Sequence, residues 1–185
     1  RIRFIWKGSW VTAKEYFKDD VVRYGGRTYI VNIGHISSNF DSQIANFDKM
    51  ADGNEWKGNW ALSTVYKPND IVKYGGIVYQ CAQGHTSADN ATQGLEEDQS
   101  KWAVQLDGIE YVTKVYTDED DNETIRGDWQ QEYRYKKNDV VKRGGNLMKC
   151  LVGHTSTGSS SGFNTDYTAS KWEIFLPGTE YENVW

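Results

Sequence analysis

The three histidines are the residues whose type most readily suggests chemistry. His35, His85 and His154 each follow a glycine and stand two residues before a serine. An imidazole can bind a metal or act as an acid or base. None of them has a second histidine or a cysteine at metal-ligand spacing, so we expect a hydrogen bond that pins a turn, with glycan contact as the alternative. Neither a metal nor a cofactor is expected.

The two cysteines occupy equivalent places in the sequence. Cys81 and Cys150 share one repeat position, and Val31 fills that position in an earlier copy. A free cysteine often behaves as a small apolar residue, and its replacement by valine favours this behaviour. We therefore expect two buried thiols rather than a disulfide.

A cluster of acidic residues accounts for the net charge of −5, which becomes zero without them. The cluster consists of Asp118, Glu119, Asp120, Asp121 and Glu123. Part of its spacing resembles a calcium loop, but Glu123 stands where that loop needs glycine, and Trp129 stands where it needs its bidentate glutamate. The expected structure is a solvated loop, with an adventitious cation site as the alternative.

The sequence contains no signature of catalysis. Nucleophile elbows, phosphate loops and zinc motifs are missing from it, and the repeated acids look like turn formers. The negative net charge argues against a nucleic-acid surface, and no apolar run approaches the ~20 residues that span a membrane. We expect a protein that is not an enzyme and that binds neither nucleic acid nor membrane.

A threefold repeat must position all of these residues. Anchored on one tryptophan per copy, a gapless pattern of 28 positions recurs three times, with a tyrosine at plus six, an aspartate at plus ten, a glycine pair, and then the histidine. The anchors are Trp10, Trp60 and Trp129, and the aspartates are Asp20, Asp70 and Asp139. Because the spacing between anchors grows from 50 to 69 residues, the acidic cluster lies in an insertion.

The repeat divides the chain into modules. We predict module 1 at residues 5–53, module 2 at 54–108, an acidic insertion or linker at 109–126 and module 3 at 127–178. Residues 179–185 read as the start of a further repeat, and residues 5–8 match the junction at residues 55–58. Both ends are therefore expected to come from a longer repetitive chain.

Each copy predicts a β-hairpin. Short β-rich runs at 21–24, 71–74 and 140–143 precede the glycine pair, and a second run follows it. Primed hairpin turns need positive φ, which glycine supplies without strain. The aspartate before the first run suits a turn that hydrogen-bonds its own backbone. We expect an all-β fold, a tandem array of three small modules with three-stranded antiparallel sheets and tiny aromatic cores, arranged as beads on a string. Residues 91–102 have room for a short helical turn.

The segment from Trp60 to Cys81, with Asn69-Asp70 before the strand and Gly75-Gly76 after it, resembles the carbohydrate-binding modules of families five and twelve. That resemblance implies a small chitin- or cellulose-binding β-module. In enzyme-borne modules an exposed aromatic pair follows the second strand. Here those places hold residues 33–34, 83–84 and 152–153, which contain no aromatic residue.

The fuller pattern, residues 55–60 together with Gly84 to Ser87, looks more like tandem repeats of tail, baseplate or fibre proteins of marine and cyanobacterial phages. The candidate sugar contacts are Trp56, Trp60, Tyr66 and Tyr74. The alternative role for the tryptophans is the core, because exposure cannot be read from the sequence.

Three functions remain open. The first is a virion structural or adhesion protein, extracellular, homo-oligomeric, and in contact with other virion proteins and a surface polysaccharide. The second is a carbohydrate-binding accessory module of a secreted polysaccharide hydrolase. The third is a pure structural spacer.

Overall fold

The computed structural model describes residues 4–89, 94–117 and 123–178, without the side chains of 114–117 and 123–126. Strands dominate, so the expectation of an all-β fold is confirmed. The described helical segments are the 3-10 helices Asp41–Asn46 and Gly94–Lys101 and the α-helix Gly162–Thr168, named α1. The second 3-10 helix confirms the short helical turn expected near residues 91–102.

Two predictions fall outside the described residues. Residues 118–122, which include four of the five acidic residues and the expected solvated loop or cation site, are outside the described residues. So are residues 179–185, which were interpreted as the start of a further repeat.

The first copy contains six strands in two sheets. A four-stranded sheet has the order β1-β3-β4-β6, and β2 pairs with β5. The strands are β1 (Ile5–Ser9), β2 (Glu15–Tyr16), β3 (Asp20–Tyr24), β4 (Arg27–Val31), β5 (His35–Ile36) and β6 (Phe47–Ala51).

The second copy has the same set of strands, with the orders β7-β9-β10-β12 and β8-β11. Its strands are β7 (Glu55–Asn59), β8 (Val65–Tyr66), β9 (Asp70–Tyr74), β10 (Ile77–Cys81), β11 (His85–Thr86) and β12 (Trp102–Asp107).

In the third copy a further hairpin joins the set. The sheet orders are β13-β17-β18-β20, β16-β19 and β14-β15. The strands are β13 (Glu110–Tyr111), β14 (Lys114–Thr117), β15 (Glu123–Arg126), β16 (Arg134–Tyr135), β17 (Asp139–Arg143), β18 (Asn146–Cys150), β19 (His154–Thr155) and β20 (Trp172–Leu176).

The glycine pair closes a hairpin in each copy, as the sequence predicts. In the first copy β3 and β4 run antiparallel, with Val21 opposite Ile30. The first glycine of each pair has positive φ, at 62°, 62° and 56° for Gly25, Gly75 and Gly144. That conformation is inexpensive for glycine because it has no Cβ.

The sheets differ in one detail from the three-stranded antiparallel sheets that the sequence predicts. A fourth strand precedes the hairpin and runs parallel to its first strand, as β1 does beside β3 and β13 beside β17. A parallel partner needs a crossover connection, so no local turn signal indicates it. In the third copy β13 lies before the acidic cluster, and Asp128 resumes the same parallel pairing with Lys142.

Small aromatic cores lie behind the hairpins, as expected. One cluster contains Tyr16, Val22, Tyr29, Val31, Phe40 and Phe47, with Trp10 and Tyr24 packed against it. Another contains Trp129, Tyr135, Val141, Met148, Cys150, Phe163 and Trp172. Burial of one aromatic side chain is worth on the order of 2 kcal/mol, so each cluster holds its own sheet together.

The described residues fall into two compact units whose boundary passes through the second copy. The first unit comprises residues within Arg1–Val72, Gln80–Ser87 and Gln99–Ala103. The second comprises residues within Lys73–Tyr79, Ala88–Asp98 and Val104–Trp185.

Candidate functional site

One exposed aromatic ring per copy stands on the edge strand that precedes the hairpin. Trp6 and Trp56 are each 60% exposed, and Tyr111 is 55% exposed. Trp6 lies opposite Val21 and Tyr111 lies opposite Val140, which are equivalent positions of the repeat. Side chains alternate along a strand, so Trp6 and Tyr111 lie on the sheet face opposite the core residues Val22 and Val141. We name Trp6, Trp56 and Tyr111 the edge rings.

The edge ring of the first copy begins a row of side chains across its sheet. Backbone pairing places Trp6 beside Val21, Val21 beside Ile30, and Ile30 beside Asp48. Paired residues share a face, and three strand spacings put the ends of the row about 14 Å apart. An exposed indole thus stands at one end and the exposed carboxylate of Asp48 at the other.

The third copy repeats this row with more charge. Pairing takes the row from Tyr111 through Val140 and Lys149 to Glu173. Lys149 Nζ lies 2.6 Å from Glu173 Oε1. Both rows combine an apolar ring with a hydrogen-bonding carboxylate, which is the pairing of groups that a sugar's C–H face and hydroxyls require.

A polar cavity of about 210 Å³ adjoins the edge ring of the third copy. Its lining includes Tyr111, Tyr133, Glu110, Lys136 and Asp139. This volume is below the ~300–1,000 Å³ of sites for drug-sized ligands. Two partly exposed tyrosines beside carboxylates suit a small polyhydroxylated ligand.

Asp139 is the most perturbed acid in this cavity. Burial raises its pKa to about 6, although Lys136 donates its backbone N–H to Oδ2 at 2.8 Å. The same bond recurs in the other copies, from Phe17 to Asp20 and from Lys67 to Asp70, both at 2.9 Å. It confirms the predicted self-bonded turn and gives these repeated aspartates a structural role.

The histidines pin a turn, as expected. Each Nδ1 lies 2.7–2.8 Å from the carbonyl oxygen two residues earlier, that of Ile33, Gln83 or Val152. The rings of His35, His85 and His154 also meet Phe47, Trp102 and Trp172 edge to face. These contacts tie the turn to the core.

A thiol, an imidazole and a carboxylate follow one another in the third copy. Cys150 Sγ lies 3.7 Å from His154 Nδ1, and His154 Nε2 lies 3.5 Å from Asp166 Oδ2. This order resembles a nucleophile with its base and orienting acid. However, the thiol is fully buried, and burial raises the pKa of Cys150 to about 12. Burial also lowers the pKa of His154, so the set supplies neither a thiolate nor access for a substrate.

Cys81 and Cys150 are free and buried, which confirms the expectation of inward thiols. Within the described residues, no three His, Cys, Asp or Glu side chains converge as a metal site would require. None of the described helices has the length and apolarity to cross a membrane.

The four candidate sugar contacts lie in different surroundings. Trp56 is exposed and Trp60 is half-buried, while Tyr66 and Tyr74 are buried. The Tyr66 hydroxyl accepts the Ala61 N–H at 2.9 Å. Burial raises the pKa of Tyr66, and it raises that of Tyr74 to about 12. Neither buried ring presents a face for stacking.

Two of the edge rings, Trp6 and Tyr111, were not among the sequence candidates. The sequence could have indicated them, because Trp6 and Tyr111 both align with Trp56 when the repeat is extended to include the strand that precedes each hairpin. Their exposure depends on the parallel edge strand, which the hairpin signals do not indicate.

Residues 59–103 match the model of carbohydrate-binding module family 5/12. The matched segment supports a carbohydrate-binding module there, and such a module binds rather than catalyses. The match starts three residues after Trp56 and covers less than half of the chain. No curated protein matches this sequence.

Proposed function

We propose that this protein binds carbohydrate through its edge rings, one in each copy. The match of residues 59–103 to a carbohydrate-binding family is the observation that carries the proposal. The exposure of Trp6, Trp56 and Tyr111 supports this choice of surface over Tyr66 and Tyr74. The places of the family's usual aromatic pair hold residues such as Ile33 and Gly34, so another platform is needed.

Repetition compensates for weak single sites. One exposed ring contributes on the order of 1 kcal/mol, which is too little for retention by itself. Three rings on a linked array raise avidity through effective concentration, by roughly 10²- to 10⁴-fold over one site. A polymeric ligand is therefore favoured over a free monosaccharide.

Retention on insoluble polysaccharides tests the proposal. Chitin, cellulose and bacterial surface polysaccharides would be incubated with the wild type, with Trp56→Ala, and with a variant that has alanine at all three edge rings. We expect a partial loss for the single variant and a complete loss for the triple variant. Retention of the triple variant at the wild-type level would rule out the edge rings.

Ile36→Ala is the matched control. Ile36 is 67% exposed in the first copy but lies on β5, outside the row that begins at Trp6. This variant should bind like the wild type. Circular dichroism of every variant would show whether a loss of retention reflects unfolding.

The setting we propose is a virion, with the chain serving as an extracellular structural or adhesion protein of a phage tail, baseplate or fibre. There it would form homo-oligomers and contact other virion proteins and host surface glycans. The resemblance of residues 55–60 and 84–87 to phage tail repeats supports this setting. Antibodies against the chain should label purified particles, and labelling confined to a secreted cellular enzyme would contradict it.

An accessory module of a secreted polysaccharide hydrolase is the second candidate. It is favoured by the same family match at residues 59–103. A catalytic domain in the flanking sequence of the same polypeptide would establish it. A pure spacer is the third possibility, and lack of retention on every polysaccharide tested would favour it.

A further inference from the structure

The hairpin tip of one copy docks onto the turn of the next at two places. In the first unit, Lys67 Nζ lies 4.6 Å from the centre of the Tyr24 ring. In the second unit, Lys136 Nζ lies 4.9 Å from the centre of the Tyr74 ring. Both tyrosines are the residue just before the glycine pair, and both lysines begin the turn closed by the repeated aspartate. The same cation–π contact therefore joins successive copies twice.

Glycine lets the two backbones approach. A Cβ on Gly25 would stand 2.5 Å from the Pro68 carbonyl oxygen, and one on Gly75 would stand 2.7 Å from that of Lys137. Gly26 also donates its N–H to the Pro68 oxygen at 3.3 Å. The tip thus presses on the backbone of the turn, with no room for a side chain at the first glycine.

The third hairpin tip lacks such a neighbour among the described residues. A Cβ on Gly144 would meet nothing within 4 Å, although its φ of 56° matches that of the docked glycines. The turn of the first copy has the shape of the docked turns, because Asp19 has a φ of 71° where Asn69 has 67°. Within the described residues, the third tip and the first turn are thus both formed, and no turn of another copy lies against the tip.

The residue types at this tip and this turn are the reverse of those at the two docked junctions. Arg143 stands at the tip where the other copies have tyrosine, and Phe17 stands in the turn where they have lysine. Both side chains are exposed, Phe17 by 57%. Here the cation belongs to the tip and the aromatic ring to the turn. Contact between Arg143 and Phe17 would therefore again combine a cation with an aromatic face.

Packing inside the third copy holds the Arg143 side chain in place. Its guanidinium carbon lies 5.6 Å from the ring centres of Trp129 and of Phe163. Tyr24 is held in a similar way. Its ring stacks on that of Phe40 with the ring centres 3.8 Å apart, and Lys67 also lies near the Tyr24 ring. The guanidinium thus lies at cation–π distance from two rings of its own copy, and a guanidinium stacks well on an aromatic face.

We infer that a second copy of this chain docks head to tail, its Phe17 turn receiving the Arg143–Gly144 hairpin tip. The occupant follows from the two internal junctions and from the exchanged cation and ring. Because tip and turn are different surfaces, the contact is heterologous and extends molecule by molecule unless its rotation closes a ring. The inference names a surface for the proposed homo-oligomer and does not depend on sugar binding.

Sedimentation velocity of the 185-residue chain at rising concentration tests the inference. The wild type should sediment faster as its concentration rises. Phe17→Lys would place lysine against Arg143 and should weaken association about tenfold. Adding Arg143→Tyr to that variant recreates the tyrosine–lysine pair of the internal junctions and should restore association.

Two further variants complete the test. Gly144→Asn keeps a residue that tolerates positive φ but adds a side chain at the tip, and it should block association. Lys142→Tyr changes an exposed cation on the same strand to the same residue and should leave association unchanged. Circular dichroism would confirm that each variant is folded.

A wild type that stays monomeric at every concentration would overturn the inference, as would a Phe17→Lys variant that associates like the wild type. Weakening by Phe17→Lys without rescue by Arg143→Tyr would overturn the pairing of these two residues. Polysaccharide retention separates this inference from the proposed function. The triple edge-ring variant should still associate in sedimentation velocity. Phe17→Lys should still be retained on polysaccharide like the wild type when the two proteins are compared at one low concentration.

Discussion

The first and third copies share one hydrogen-bonded frame but surround it differently. Ser37 and Ser156 donate their hydroxyls at 2.7 Å to the carbonyl oxygens of Val11 and Gln130. The next backbone N–H then finds different acceptors. In the first copy the amide oxygen of the partly exposed Gln43 accepts it from Ser38, whereas in the third copy the buried carboxylate of Asp166 accepts it from Thr157.

That difference shows where the repeat tolerates change. The frame consists of contacts that each copy must make to close its turns. The segment after the serine differs between the copies. In the first copy it forms a 3-10 helix and supplies the neutral acceptor Gln43, and in the third it forms α1 and supplies the ionised acceptor Asp166. In the third copy this places a buried carboxylate 3.5 Å from His154, whereas in the first copy the acceptor is the uncharged amide oxygen of Gln43. The five predictions below test this contrast, in order of decreasing effect.

Trp172→Ala should have the largest effect. Trp172 is buried and its ring lies 4.9 Å from that of Tyr135. Loss of a buried tryptophan costs about 3–5 kcal/mol, and we expect the third copy to lose its structure. Hydrogen exchange should show faster exchange in β17 and β18 with protection retained in β3 and β4. Equal loss in both copies would show that their cores are not independent.

Asp166→Ala should come next. Its carboxylate accepts the N–H and the hydroxyl of Thr157 and lies 2.9 Å from Lys171 Nζ. Removal of a buried acceptor from such a set costs about 3 kcal/mol. The matched variant Gln43→Ala should cost at most about 1 kcal/mol, because Gln43 is partly exposed. Urea unfolding measures both values, and equal costs would contradict the contrast.

Asp139→Asn should change the pH dependence of stability. Because burial raises the folded pKa of Asp139 to about 6 from 3.8, the folded state binds more protons than the unfolded state between these values. Its contribution therefore falls as pH rises from about 4 to 6, by at most about 3 kcal/mol. The variant should flatten this slope and be more stable than the wild type at pH 7. Thermal unfolding across this range is the measurement.

Asp20→Asn is the contrasting variant in the first copy. Lys7 Nζ lies 3.5 Å from Asp20 Oδ1, so neutralising this aspartate removes the partner of an ammonium group. We expect a loss of stability at pH 7, because Asp20 is buried and its charge is the partner of Lys7. A gain like that of Asp139→Asn would mean that the two aspartates have the same surroundings.

The titration of His154 should show the smallest effect. Burial lowers its pKa below 6.5, so the unfolded state takes up a proton first as the pH falls. The contribution of His154 is present above 6.5 and is lost as the pH drops through that value. NMR titration of the imidazole protons should place its midpoint below 6.5, and a midpoint above 6.5 would contradict burial as the dominant influence.

Sequence reasoning predicted the contacts that depend on short spacing. The aspartate turn, a histidine hydrogen bond that pins a turn, and the glycine hairpin each involve residues a few positions apart. The parallel strand β1 pairs with β3 about fifteen residues later along the chain, and no turn chemistry indicates such a partner. The role of Asp166 could not be predicted either, because its partner Thr157 is nine residues away and Gln43 replaces it in the first copy.

By itself the sequence determined a threefold register, the hairpins, the inward thiols and the absence of catalytic signatures, because these rest on residue type and local spacing. Only the tertiary structure decided which aromatic rings face solvent. Tyr66 and Tyr74 looked as available as Trp56 until packing against distant residues buried two of them and an edge strand exposed the third. Exposure depends on what covers a side chain, and in this protein the covering residues come from elsewhere in the chain.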